Sequence, residues 1–141
     1  LKLVTAHPWG TAYKAWKNFP IPVAGKTGTA EKLPDADYAW FVGYAPVDDP
    51  QIAVAVFVFN GGEGSQWAAP VACHVMAAYF GAGQYAITTG NVSLEEAAQM
   101  PTVCQSSVFN PVVPQTEEQL AAQDALLEQL QPTPIPVNPG N

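Results

Sequence analysis

Residues Ile52 to Phe59 leave no face for water. In an extended segment Ile52, Val54, Val56 and Val58 share one side, and Ala53, Ala55, Phe57 and Phe59 share the other. A strand that is apolar on both sides must be covered on both sides, which predicts a central place in a sheet flanked by helices. Its predecessor, Tyr38 to Ala45, is rich in aromatic and β-branched residues, and only Pro46-Val47-Asp48-Asp49-Pro50 separates the two. So short a connection cannot make a crossover, so the pair is an antiparallel hairpin. Pro20 and Pro22 bias the preceding chain towards extended conformations and deliver it into another strand at Val23-Ala24. Downstream, Trp67 to Phe80 reads as a helix with Pro70 tolerated in its first turn. Val71, Val75, Ala78 and Tyr79 recur on one side of it, the side predicted to dock on the sheet. The expectation is an α/β arrangement of three antiparallel strands, near residues 22–30, 38–46 and 51–59, beneath a helix at 67–80.

The flanks are less regular. Thr11 reads as the start of a short helix whose Tyr13 and Trp16 serve packing. Beyond Gly81 the pattern weakens, and seven of the fourteen prolines follow Met100. Residues 82–141 are therefore read as an acidic, Pro-rich tail, largely irregular. One island interrupts it: Thr116-Glu117-Glu118-Gln119 has the form of a capping box and predicts a helix from about Glu117 to Gln131.

Charge excludes one class of partner. All five basic residues are lysines at or before Lys32, and the formal net charge is −7. Nothing here suits a phosphate backbone, so no nucleic-acid partner is expected. No apolar run approaches the length that spans a bilayer. Leu1-Lys2-Leu3-Val4-Thr5 has neither an initiator Met nor a signal pattern and reads as internal to a longer protein. Cys73 and Cys104 can pair in an oxidising compartment, but two cysteines are too few for a disulfide framework and the reading favours free thiols, Cys73 as a small buried residue of its helix.

The stretch Val23-Ala24-Gly25-Lys26-Thr27-Gly28-Thr29-Ala30 carries the chemistry. Gly25-Lys26-Thr27 has the last letters of a phosphate-binding loop, but that loop needs glycine five positions earlier, where Pro20 stands. A metal site from His7, Cys73, His74 and Cys104 lacks ligand spacing, because Cys73 and His74 are adjacent. No metal or cofactor is expected. On a strand, Lys26 supplies a positive charge to a cleft, and Gly28 lets a substrate backbone lie close. Thr27 points to the opposite face from its neighbours and helps set the strand, while Thr29 has a hydroxyl and a backbone N–H to offer an anion.

Lys-Thr-Gly is one of three signatures of serine enzymes that act on D-alanyl peptides and β-lactams; the other two are Ser-x-x-Lys and Ser-x-Asn. None of Ser65, Ser93, Ser106 and Ser107 has Lys three residues on or Asn two residues on. Gly10-Thr11-Ala12, Ile21 to Glu31, Trp40-Phe41-Val42-Gly43-Tyr44-Ala45-Pro46, Ile52 to Phe59, Asn60-Gly61-Gly62-Glu63-Gly64-Ser65 and Ala68-Ala69-Pro70-Val71 occur in order. Over residues 5–81 this series resembles the C-terminal part of a class B penicillin-binding protein, of the penicillin-binding protein 2 type. The resemblance implies that residues 1–81 are the C-terminal portion of a serine β-lactamase/transpeptidase-like fold, antiparallel strands covered by helices. It also implies a peptidoglycan D,D-transpeptidase working through an acyl-serine intermediate, with Lys26 and Thr29 catalytic and Lys26, Thr27, Gly28 and Thr29 binding substrate. The implied partners are peptidoglycan stem peptides, β-lactams, the rest of the transpeptidase domain, a membrane glycan polymerase and elongation proteins. The implied location is the extracytoplasmic face of the bacterial plasma membrane, with the anchor and nucleophile upstream and this segment inactive alone. A non-catalytic β-lactam-sensing or scaffold module, a D,D-carboxypeptidase and a β-lactamase are alternatives that Lys-Thr-Gly does not separate.

Overall fold

Alternating side chains and a short turn produce the sheet that the sequence predicts. The computed structural model describes residues 1–90 and 92–106. Within them β1 (Ala24–Ala30), β2 (Tyr38–Ala45) and β3 (Ile52–Val58) form an antiparallel sheet in the order β1-β2-β3. Gln51 N–H closes the second turn on the Ala45 carbonyl at 2.9 Å. The register sets Lys26 opposite Val42 and Val42 opposite Ala55, with Thr27, Phe41 and Val56 forming the next row. Since paired residues share a face, Thr27, Phe41 and Val56 lie on one side of the sheet and Lys26, Val42 and Ala55 on the other.

One side is covered. Phe41 is fully buried there, and its ring occupies the space that β-carbons would take at Gly25 and Gly43, themselves a cross-strand pair. Trp16 stacks on that ring, centroid to centroid at 5.6 Å. Burying one such phenylalanine contributes about 1.5–3 kcal/mol. Trp16 belongs to α2 (Tyr13–Trp16), which starts two residues later than Thr11, and a further short helix, α1 (Lys2–Ala6), precedes it.

The covering helix is α3 (Ala68–Phe80), packed on β2 and β3. It docks by a different face from the one the sequence suggests. Val75 and Tyr79 are exposed, whereas Ala68, Ala69, Ala72, Cys73, Met76 and Ala77 are buried. The helix is apolar almost all round, so periodicity carries little information, and small side chains win the interface by letting the helix approach the sheet closely. Gly81 stops it in the left-handed region at φ 62°, and the Ala82 N–H returns to the Ala77 carbonyl.

β3 is not central. Among the described residues it is an edge strand, with the side chains of Ile52, Val54, Val56 and Val58 half-buried against α3 and Ala53, Ala55 and Phe57 exposed. On that open side Trp40 and Val42 are exposed too, so Trp40 lies outside the described core that Phe41 fills. The aromatic rings of Tyr38, Trp40, Phe57 and Phe59 touch one another across it at centroid distances of 4.6–5.2 Å.

The chain beyond Gly81 turns back onto this body. A 3-10 turn spans Gly83–Thr89, α4 spans Leu94–Gln99, and Val103 and Cys104 enter the core. Cys73 and Cys104 form a disulfide, Cα to Cα 5.7 Å, which corrects the reading of two free thiols. The sequence could not reveal the bond because only the return of the chain brings Cys104 under α3. Ser93 and Glu96 form a full capping box at the start of α4. The corresponding signal at Thr116 to Gln119, and the helix expected from Glu117 to Gln131, lie outside the described residues.

Candidate functional site

Among the described residues β1 is an edge strand, so alternate backbone groups point away from β2. The Lys-Thr-Gly run lies on it, as expected, and its side chains separate by parity. Lys26 projects exposed from the uncovered side, and its ammonium donates back to the Thr27 carbonyl. Thr27 is buried on the covered side, and Gly28 and Thr29 follow, half-buried and exposed respectively.

A cleft of about 270 Å³ runs along this edge, lined by Thr11, Lys26, Thr27, Gly28, Thr29, Glu63, Gly64 and Ser65. The four residues singled out in the sequence thus line one space, and besides Gly64 three further polar side chains join them. Glu63 and Ser65 arrive on the loop between β3 and α3, where a Glu63 carboxylate oxygen accepts from the Ser65 hydroxyl at 3.3 Å and the Gln66 amide at 3.1 Å. That loop reaches β1 because Gly64 has no side chain. A β-carbon there would overlap the Trp40 carbonyl oxygen and lie 2.5 Å from that of Gly28. The close approach was not readable from the Gly-rich composition, which signals only a loop.

Thr11 is the third. It is exposed beside the cleft, and its Oγ1 lies 2.7 Å from Oγ1 of Thr27, sixteen residues away. The sequence marked Thr11 as a helix start and as part of the Gly10-Thr11-Ala12 element of the motif series, but no local signal reports a pairing across that distance. A second hollow of about 390 Å³, lined by Leu3, Val4, His7, Trp9 and Gly10, meets the cleft at Thr11 and Lys26.

The residues weighed as metal ligands do not gather. Both cysteine sulfurs are spent in the disulfide, and His74 is buried in α3 with its Nδ1 sharing a 2.7 Å hydrogen bond with the Tyr85 hydroxyl. Burial holds the His74 imidazole below its ordinary pKa, favouring the neutral ring. Among the described residues no helix is long and apolar enough to cross a membrane.

An ammonium and three threonine hydroxyls lining one cleft can hold an anionic group. Comparisons with known proteins bear on the family and the fold. The peptidoglycan D,D-transpeptidase MrdA of Haemophilus influenzae is 37% identical over 102 residues, covering 62% of this chain and 16% of the relative. The peptidoglycan D,D-transpeptidase PbpA of Mycolicibacterium smegmatis is 40% identical over 67 residues, covering 41% of this chain and 14% of the relative. The crystal structure of Pseudomonas aeruginosa PBP2 in complex with WCK 5153 matches with a TM-score of 0.52 at 47% identity, over 55% of this chain and 17% of that one. The chain thus spans about a sixth of the length of these relatives. Residues 1–77 match the model of the penicillin binding protein transpeptidase domain, and with the motif series, the sheet and the helix in agreement, the chain belongs to that family, in its penicillin-binding protein 2 branch.

Proposed function

We propose that this segment is the Lys-Thr-Gly wall of the cleft of a peptidoglycan D,D-transpeptidase, an enzyme that cross-links stem peptides through an acyl-serine intermediate and is acylated by β-lactams. The observation that carries the reading is the convergence of Lys26, Thr27, Gly28 and Thr29 on one edge-strand cleft. The nucleophilic serine and its lysine come from chain outside these residues, since no serine here has lysine three positions on. Lys26 draws the anionic peptide and holds the hydroxyl network near the nucleophile. The Thr27 and Thr29 hydroxyls receive the terminal carboxylate, and the Thr29 N–H faces the oxyanion of the tetrahedral intermediate. Gly28 keeps the strand edge clear for the peptide backbone.

The extracytoplasmic location belongs to the same proposal and is supported by the Cys73–Cys104 disulfide, because such bonds persist in oxidising compartments.

Acylation tests the reading. Full-length protein incubated with benzylpenicillin should gain one equivalent on a serine outside these 141 residues, visible by mass spectrometry. Lys26→Ala should slow that acylation by on the order of 10², the effect of losing one preorganised electrostatic contact. An adduct on Ser65, Ser93, Ser106 or Ser107, or parental acylation of Lys26→Ala, would sink the assignment.

A further inference from the structure

We propose that Thr11 is a positioning residue for this cleft: its hydroxyl donates to Thr27 Oγ1 and so frees the Thr27 proton for the carboxylate of the bound peptide or β-lactam. The inference rests on the function proposed above and deepens it. The two oxygens lie 2.7 Å apart, and both residues line the Lys26 cleft. Each hydroxyl has one proton and two lone pairs, so the direction of the bond between them decides what Thr27 shows to the cleft. If Thr27 donates to Thr11, it presents only lone pairs, which repel an anion. When Thr11 donates, the Thr27 proton turns outward, and the chain Thr11 to Thr27 to carboxylate is polarised along its length. The last bond is charge-assisted, the stronger kind, so a bound carboxylate selects this direction.

The scaffold holds both hydroxyls from one mount. Gly10 lies flat against α1, where a β-carbon would overlap the carbonyls of Leu3 and Val4. Its N–H donates to the His7 carbonyl at 2.7 Å, the Ala12 N–H donates to that of Val4 at 3.0 Å, and Ala12 is fully buried. Thr11 is therefore fixed from both sides along the chain. β1 is held to the same helix, because the Thr5 hydroxyl of α1 donates to the Val23 carbonyl just ahead of the strand. The backbones of Thr11 and Thr27 cannot drift apart without moving α1.

The test compares benzylpenicillin with its methyl ester, which lacks the anion, on full-length protein. Acylation rate constants and melting temperatures are measured for the parent, Thr11→Val, Thr11→Ser, Thr27→Val and the Thr11→Val/Thr27→Val pair. Thr11→Val should slow acylation by the acid about tenfold, the worth of one hydrogen bond acting on a charged group, and change the ester by less than about twofold. Thr11→Ser should restore the acid rate, and the double variant should be no slower than Thr27→Val alone. Equal losses with acid and ester would mean a merely structural role and overturn the inference, as would a parental rate in Thr11→Val. Should Thr11→Val fail to fold, Thr11→Ala, which adds no bulk, carries the same comparison. A parent that is folded yet never acylated brings down the function itself. Loss in Lys26→Ala with none in Thr11→Val removes the positioning role alone.

Discussion

Gly64 is the point where the loop after β3 presses on the backbone of Gly28 and Trp40, and any side chain there must push the cleft wall aside. Gly64→Ala is expected to cost about 1–3 kcal/mol of stability, the usual range for overpacking, because the obstructing atoms are backbone and cannot rotate away. Chemical denaturation measures it, and an unchanged midpoint would show that the loop does not rest on β1. His74 supplies a pH dependence of known sign. Burial lowers its pKa in the folded state below 6.5, so as pH falls through that value the unfolded chain takes up the proton first. The stability contributed by a neutral His74 is thus fully present above about pH 6.5 and declines as pH drops towards the lowered folded value. Melting temperatures between about pH 7.5 and about pH 5.5 should fall more steeply for the parent than for His74→Gln. Parallel slopes would mean that the Tyr85 hydrogen bond accommodates both charge states.

The return of the chain after α3 makes the disulfide an element-scale matter. Closing a separation of 31 residues is worth about 3–4 kcal/mol in the chain-entropy account, so Cys73→Ser/Cys104→Ser, or reduction, should lower the melting temperature clearly. Equal melting of oxidised and reduced protein would show that packing of Val103 already holds the segment. The sequence let the strands be read almost to the residue, since each has alternation, β-branched bulk and a proline or glycine stop. It let Lys26, Thr27, Gly28 and Thr29 be placed on one strand because adjacency in sequence is adjacency in space there. Everything that depended on distant partners was hidden. The docking face of α3 was hidden because alanine and valine are alike to a periodicity argument, though an alanine fits closer to a sheet. β3 reads as a buried strand because its outer side chains are apolar, but among the described residues that side is open. The Ser93 to Glu96 capping box has the same form as the signal at Thr116 to Gln119 but lacks the series of leucines that predicts a helix there.

At the scale of the whole molecule, the described residues cover the sheet on one side only. Trp40, Val42 and Phe57 are each exposed by 40–47% on the open side, next to the rings of Tyr38 and Phe59. Contiguous apolar surface of this kind drives association, so the 141-residue chain on its own should self-associate with concentration and bind a hydrophobic dye. Val42→Lys/Phe57→Lys should reduce both effects in sedimentation and fluorescence; a parent that stays monomeric and dye-free at high concentration would show the face to be covered. The disulfide has a further consequence, one of chronology. A ribosome delivers Cys73 long before Cys104, and the sheet, the cleft edge and the covering helix all precede the second thiol. The first thiol must wait unclasped until the late strap arrives under α3 in an oxidising compartment, and correct closure depends on that arrival. Once shut, the bond works as a date stamp: an oxidised molecule is one whose chain has been delivered at least as far as Cys104, and thiol-trapping of nascent protein would read its age.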